Sequence, residues 1–565
     1  MAHGDRTPPI PAGVLRLFEW LPFVLHATLA WLRARTTGRG TRIEMALVFA
    51  GLAAAAAWGM GAGDDAWHAF EWSLVALLVC QWGRLNLILA GRVRRPVVLL
   101  PLNVLALILL GTLLIKLPEA IAYTSDDAAL RLPVGGHFRW LDAFFTMAGA
   151  VCVTGLSVRD LSQFSVFGQV LIGLFMQLGG LLVLVFGSQI VFRLSRRLVG
   201  CGRLLRHGTR RAASFVRVCV VVTVLIELGG ALALMPLMGS DFTWRQRVGH
   251  SLFHASSAFC NAGLALEPDG MAAHRYGAVL HLVILPLVGL GGMGAVVLVD
   301  LWRFGRSRWR RRRQDATQAR NMHRRLGVHT RVVLVTTAAL YVLGVAVVAV
   351  AQLMPSIYGP VEAAGTAGRP DAPPLSWALA GAAVADASTL SLTARSAGFH
   401  CVPPDQIEPA TRFVLILLMS VGASPGGTGG GVKTTTLALL ILGAVAVCRR
   451  SGGLTLGGRS LETMMPVMAA TMLICFVALA AISTTLLCLS EPLSFGPLLF
   501  ESVSAASTAG LSLGITEQLT PFGKLVLVAT MFTGRVGPLL LVLPMCSSGV
   551  SRERGERNFA RIGLG

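Results

Sequence analysis

AFFTMAGAVCVTGL (143–156), SLFHASSAFCNAGL (251–264), DASTLSLTARSAGF (386–399) and LLFESVSAASTAGL (498–511) align without gaps. The thirteenth residue is glycine in all four: Gly155, Gly263, Gly398 and Gly510. The fourteenth is Leu156, Leu264, Phe399 or Leu511, and the twelfth is small: Thr154, Ala262, Ala397 or Ala509. The third is Phe145, Phe253 and Phe500 in three windows and Ser388 in the other. Successive glycines lie 108, 135 and 112 residues apart. Each window is too short to cross a bilayer, which takes roughly 20 apolar residues, and each lies between one long apolar run and the next. The unit is therefore an apolar helix, a short half-helix, an extended glycine-containing segment and a second apolar helix. Such a unit cannot close a site alone, but four around one axis can.

The surrounding composition agrees with a membrane protein. Of 565 residues 54% are hydrophobic and 14% charged, whereas soluble domains carry about 25% charge. A water-soluble enzyme of one to four domains does not fit. Ten candidate spans follow: 43–60, 70–90, 97–117, 166–192, 215–238, 277–301, 328–354, 411–447, 464–489 and 522–546. Residues 14–32 carry Arg16, Glu19 and Pro22 and read as an interfacial amphipathic segment rather than a secretory signal.

The net charge of +21 would suggest nucleic acid in a soluble protein. Here it sorts by topology instead. Loop 193–217 holds eight arginines and no acid, and loop 303–331 holds eleven arginines and Asp315. These two connections carry +18 of the +21. Basic clusters occupy every second connection, and acids such as Asp142, Asp241, Glu267 and Glu491 occupy the others. Positive loops stay cytoplasmic, so an even span count with both termini inside is expected. The ten cysteines show no C-x-x-C spacing and read as packing residues.

Irregular backbone at membrane depth is tolerated only where it lines a watery cavity or is buried in protein. Four extended segments meeting on an axis would aim carbonyl oxygens inward, which is how a dehydrated monovalent cation is held. Glycine permits positive φ and close backbone approach. Half-helices pointing their C-termini at the centre add favourable potential for a cation. The candidate filter is Val153, Thr154, Gly155; Asn261, Ala262, Gly263; Ser396, Ala397, Gly398; and Thr508, Ala509, Gly510. The competing interpretation is that A-G-L motifs merely permit close helix packing.

A second irregularity is GASPGGTGGGVKTTT (422–436), in the middle of an apolar run. A helix loses about 1 kcal/mol per Gly and about 3 per Pro, so the span must break around Ser424, Pro425, Gly426, Gly427, Thr428, Gly429, Gly430, Gly431, Lys433 and Thr434. A phosphate-binding P-loop fails on spacing, because Val432 separates Gly431 from Lys433. Arg535 interrupts the last apolar run, and an intramembrane arginine is a functional candidate by default. Arg395 precedes the third filter segment, with either an outside acid or a carbonyl as partner. His250 and His254 are four apart but lack a third zinc ligand, and read as solvated or core-satisfied. Glu227, inside a span, is expected to pair with an arginine or a hydroxyl.

VCVTGLSV (151–158), SAFCNAGL (257–264), TARSAGF (393–399) and STAGLSLGIT (507–516) resemble the four filter segments of the Trk/Ktr/HKT superfamily of potassium transporters. The similarity covers about residues 95–546 and includes LLIKLP (113–118) and FGQVLIGLFMQLGGL (167–181). It is closest to bacterial Ktr/Trk membrane subunits. The implied fold is an all-α polytopic membrane protein of four pseudo-repeats around a central pore, plus two extra N-terminal transmembrane helices. The expected division is 1–42 cytoplasmic or interfacial, 43–95 extra helix pair, 96–200, 201–310, 311–450 and 451–565 pore repeats, the third carrying the gate loop and the fourth a cytoplasmic tail. In this superfamily a glycine in all four filter segments goes with potassium preference, so Gly155 implies K+. The resemblance also makes Ser424–Thr434 an intramembrane gate and Arg535 its partner.

It implies potassium uptake across a bacterial inner membrane, with K+ as cargo, Na+ as a candidate activator and no cofactor in this chain. It further implies a homodimer on a ring of cytosolic nucleotide-binding regulatory subunits, with membrane lipids as the other partner and no nucleic acid. A Na+- or H+-coupled symporter on the same fold and an intramembrane enzyme remain alternatives, although no convergent acid/base or metal set favours catalysis.

Overall fold

A computed structural model describes residues 99–117, 120, 139–199, 208–238, 242–267, 270–311, 326–358, 377–403, 407–449, 455–456, 459–460 and 464–537. The chain divides into two compact units, 1–99 and 100–565. The expected segment 1–42 and the spans 43–60 and 70–90 lie outside the described residues.

Fourteen helices are described. They are α1 (Leu99–Ile115), α2 (Trp140–Val151), α3 (Val166–Val199), α4 (Gly208–Leu234), α5 (Trp244–Cys260), α6 (Leu285–Met293, led in by a π-helical turn Val279–Ile284), α7 (Ala295–Arg311), α8 (Val328–Tyr358), α9 (Trp377–Ser396), α10 (Pro409–Ser420), α11 (Thr434–Cys448), α12 (Met464–Ser490), α13 (Phe495–Ser507) and α14 (Pro521–Val536). A two-residue ladder pairs Thr455 with Ser460 and Leu456 with Arg459.

The surface is apolar where a soluble protein's would be polar. Leu225 and Leu232 on α4, Val335 and Val342 on α8, and Ile474 and Leu489 on α12 are all exposed. These helices are long and apolar enough to cross a bilayer, as is Val166–Leu184 within α3. Contiguous apolar surface of this extent suits lipid rather than water.

Helices α2, α5, α9 and α13 carry the four sequence windows, and their C-terminal halves are buried; α9, at 20 residues, is longer than the short half-helix expected there. A cyclic order runs through the packing. Helix α3 packs on α5, α6 on α9, α10 on α13, and α14 on α2. Each helix that follows a window therefore rests against the short helix of the next window, and the last returns to the first.

Two long apolar runs do not form straight helices. The 411–447 run breaks, as expected, between α10 and α11. The 277–301 run was expected to be one span and is not: its axis turns by 104° between Met293 and Ala295. Gly294, at φ +85°, occupies the corner, and a side chain there would collide with the backbone of Gly426 and Gly427. The corner is closely packed, with the 426–427 backbone filling the space beside Gly294. Of the last run, expected over 522–546, the part to Val536 is helical and Gly537 adopts φ +92°, while 538–546 lie outside the described residues.

Candidate functional site

Each short helix ends where its extended segment begins. Val153, Asn261 and Thr508, the eleventh residues of windows one, two and four, adopt φ of 53°, 60° and 50°. Left-handed backbone costs a non-glycine residue of order 1–3 kcal/mol and persists only where its surroundings enforce it. In these windows the twelfth N–H turns back to the seventh carbonyl: Thr154 to Gly149 at 2.8 Å, Ala262 to Ser257 at 2.8 Å and Ala509 to Ser504 at 2.9 Å. The third window differs. Helix α9 continues through Ser396, and both Ala397 and Gly398 donate to the Thr393 carbonyl, at 2.9 and 3.0 Å.

The four window glycines all have positive φ: 84° at Gly155, 69° at Gly263, 67° at Gly398 and 85° at Gly510. Their surroundings form a closed cycle. A Cβ on Gly155 would run into the carbonyl oxygen of Ala262, one on Gly263 into that of Ala397, one on Gly398 into that of Ala509, and one on Gly510 into that of Thr154. Four extended segments thus meet edge to edge, each glycine seating the carbonyl of its neighbour. The buried hydroxyls of Thr154 and Thr508 have no hydrogen-bond partner among the described residues.

The glycine-rich loop 421–433 lies against the inner ends of these helices. Its two limbs are tied by Gly422 N–H to Val432 O at 3.0 Å and Val432 N–H to Ser420 O at 3.1 Å. It is then pinned to the α6–α7 corner: Ser424 N–H donates to Gly292 O (2.9 Å), Thr428 N–H to Gly291 O (3.2 Å), and Ala295 N–H to Gly426 O (3.3 Å). A side chain on Gly429 would strike Ser396, and one on Gly430 would strike Ser507 and Thr508. Ser424 and Thr434 hydroxyls bond at 3.0 Å. Pro425 and Gly427 complete the turn, and Gly426 and Gly431 take positive φ.

Thr428 is the most connected loop residue. Its hydroxyl meets the Asn261 side-chain amide at 2.6 Å and donates to Phe259 O at 3.1 Å. The same amide reaches the Ser396 hydroxyl at 3.2 Å. One loop residue therefore joins the second and third windows. Arg535, in the last turn of α14 and buried, donates to the Thr428 carbonyl and, at 3.3 Å, to the Gly179 carbonyl of α3. Lys433 Nζ donates to Gly429 O at 2.7 Å and Gly430 O at 3.4 Å. Arg395 turns inward, not to the outside, and donates to Gly422 O at 3.3 Å.

Several contributors escaped sequence reading. Gly179, Gly291 and Gly534 each abut the carbonyl of a window's ninth residue: Val151, Phe259 and Ala506. Gly179 and Gly534 follow their window glycines by 24 residues, and so does Gly422, where the third run breaks. That spacing is readable in the sequence. Glu501, fully buried on α13, accepts from the Ser512 hydroxyl and from Leu513 N–H at 3.2 Å, bracing the chain after the fourth window. His400 Nε2 accepts from Ser512 N–H at 2.9 Å, linking the exits of windows three and four.

Outside the site, Glu227 pairs with neither arginine nor hydroxyl. Gln177 Nε2 donates to both of its oxygens at 2.9 Å. His254 is core-satisfied: its Nδ1 meets His250 O at 2.9 Å, and its Nε2 accepts from Leu266 N–H at 3.3 Å. No group of three or more His, Cys, Asp or Glu among the described residues could hold a metal ion. The seven described cysteines are all free thiols.

Residues 127–548 match the TrkH family model, described as a cation transport protein. The Ktr system potassium uptake protein B of Vibrio alginolyticus is 30% identical over 452 residues, covering 77% of this chain and 90% of that protein. The potassium/sodium uptake protein NtpJ of Enterococcus hirae is 28% identical, covering 84% of this chain and 97% of that protein. The crystal structure of the potassium transporter TrkH from Vibrio parahaemolyticus matches with a TM-score of 0.61 at 14% identity, covering 93% of this chain and 98% of that one.

Proposed function

This chain belongs to the TrkH family of cation transport proteins, a family of multi-pass membrane transporters rather than enzymes, and on that footing we propose that it takes up potassium through a K+-selective pore. Four pseudo-repeats surround the pore. Val153–Gly155, Asn261–Gly263, Ser396–Gly398 and Thr508–Gly510 form its filter. The observation that carries this reading is the closed cycle in which each window glycine seats the neighbouring window's carbonyl. Backbone oxygens at the ends of four helix C-termini suit a dehydrated monovalent cation, because they replace its hydration shell without a fixed carboxylate.

The loop Ser424–Thr434 is the gate and Arg535 its partner. Support comes from the loop's seat beneath three of the four windows and its many polar ties. Following the arginine pattern, both termini are cytoplasmic and the chain sits in a bacterial inner membrane. Its working form is a homodimer on a cytosolic nucleotide-binding regulatory ring, so nucleotide acts only through that partner. The word "system" in the Vibrio relative's name supports a separate component.

A second reading is favoured by the NtpJ name, which couples potassium with sodium. Na+ would then be an activator or a co-transported ion. The test is Rb+ uptake in cells lacking their own K+ importers, with and without external Na+. Na+-independent rescue supports the pore, uptake that requires Na+ supports coupling or activation, and no rescue by well-expressed protein refutes potassium uptake.

A further inference from the structure

Helix α7 leaves the 104° corner with an unusual face. Its sequence AVVLVDLWRFGRSRWRR begins apolar and ends with five arginines in nine residues, with no acid after Asp300. The beginning is buried: Ala295 and Leu298 pack with Leu184, Cys219 and Phe259. Asp300 fixes the next turn by accepting from Gly327 N–H at 3.0 Å and the Thr330 hydroxyl at 2.6 Å, at the start of α8. Beyond it, Trp302, Arg306 and Trp309 form one stripe at the i, i+4, i+7 spacing that places residues on the same helix face. Trp302 is 59% exposed and Trp309 56%. The Arg306 guanidinium lies 5.2 Å from the Trp302 ring centroid. Arg303 and Arg308 flank the stripe and are exposed.

Indole rings settle at the headgroup level of a bilayer, and arginines beside them attract anionic lipid. A helix turned across the direction of α6 can lay both along a membrane surface. We propose that the Trp302–Arg306–Trp309 face of α7 is a docking site for anionic phospholipid headgroups of the cytoplasmic leaflet. The cytoplasmic placement rests on the transporter reading above. The charge complementarity and paired indoles choose lipid over a protein partner, whose contact would cover the rings with apolar side chains. The helix that carries the site begins at the glycine-rich loop, with the Ala295 N–H bound to Gly426.

The test uses the full-length protein in phosphatidylcholine vesicles containing either dibrominated phosphatidylglycerol or dibrominated phosphatidylcholine at equal mole fraction. Bromine quenches indole fluorescence on contact. Stronger quenching by the brominated anionic lipid is expected, with that excess abolished in W302F/W309F. In R303Q/R306Q/R308Q the apparent affinity for the anionic lipid should fall at least roughly 100-fold, taking one basic residue at about a factor of five. Equal quenching by the two lipids would overturn the proposal, as would an excess undiminished in either variant; that outcome would leave the face to a protein partner. The substituted residues are exposed, and unchanged elution and helical dichroism confirm folding. The readout needs no ion flux, so a failure of potassium transport would leave this result standing.

Discussion

Replacing Thr428 with valine tests the gate most directly. Valine keeps the volume but removes the hydroxyl, which meets the Asn261 amide at 2.6 Å and the Phe259 carbonyl at 3.1 Å. Thr428 is 1% exposed, so water does not replace either partner. A net hydrogen bond is worth about 1 kcal/mol, and leaving a buried acceptor unpaired costs about 1–3. The seated loop should therefore lose about 2 kcal/mol relative to a displaced one, and at 1.36 kcal/mol per tenfold the displaced population rises roughly 30-fold. The assay is Rb+ influx into proteoliposomes without any regulatory protein. Thr428→Val should raise influx by about that factor, while Thr428→Ser, which keeps the hydroxyl, stays near wild type. Influx at or below wild type in monodisperse Thr428→Val protein would refute the obstruction.

Gly155→Ser places a side chain at φ +84° against the Ala262 carbonyl, displacing one seam of the proposed filter. Competition of Na+ with Rb+ uptake should show weakened K+/Na+ discrimination, and unchanged selectivity would count against the filter assignment. Deleting Gly426–Gly430 should raise flux; reduced flux with normal folding would mean that the loop does not obstruct. Asp386→Asn breaks the paired contacts with Arg275, Nε to Oδ1 at 2.7 Å and Nη2 to Oδ2 at 2.6 Å. With Arg275 22% and Asp386 7% exposed, a loss of about 1–3 kcal/mol is expected, read as a lower Tm with unchanged ion selectivity.

Much of the site was legible because its constraint is local. A residue that needs positive φ and touches a neighbouring backbone must be glycine, so aligning four windows on Gly155, Gly263, Gly398 and Gly510 located the seams. The break at Gly422–Gly431 was legible for the same reason, since no helix tolerates that composition. The 104° corner at Gly294 was not. Its sequence, VGLGGMG over 288–294, carries four glycines, which weaken a helix by about 1 kcal/mol each but do not say where or how far the axis turns; the backbone of Gly426 and Gly427 packs into that corner. Likewise, nothing in TARSAGF reveals that α9 runs one residue further than α5 and α13, and two further than α2. That difference accompanies the inward reach of Arg395 to Gly422, a contact across 27 residues. Val153 in left-handed backbone runs against residue preference and could not be read from type alone.

The bonds of the loop constrain how it could move under the gating proposal. Seven ties leave the loop: three backbone bonds to the α6–α7 corner, Arg535 to Thr428, Asn261 to Thr428, Thr428 to the Phe259 carbonyl, and Arg395 to Gly422. At about 1 kcal/mol for a neutral bond and 1.5–3 for a charged one, breaking all seven without replacement costs about 8–11 kcal/mol. Coupling between a regulator and a distant site typically supplies 1–3 kcal/mol, and a switch from 1:99 to 99:1 takes about 5.5. Expelling the loop alone is therefore out of proportion to what regulation delivers. The cost falls if the whole α6–α7 corner travels with the loop, because the bonds to Gly291, Gly292 and Ala295 then stay intact. It falls again if the root at Gly422 stays fixed by Arg395. Only the three contacts of Thr428 with Arg535, Asn261 and Phe259 must then exchange, at about 3.5–5 kcal/mol. The economical motion under the gating proposal moves the Thr428 tip and the α6–α7 corner, Gly291 to Ala295, together as one piece.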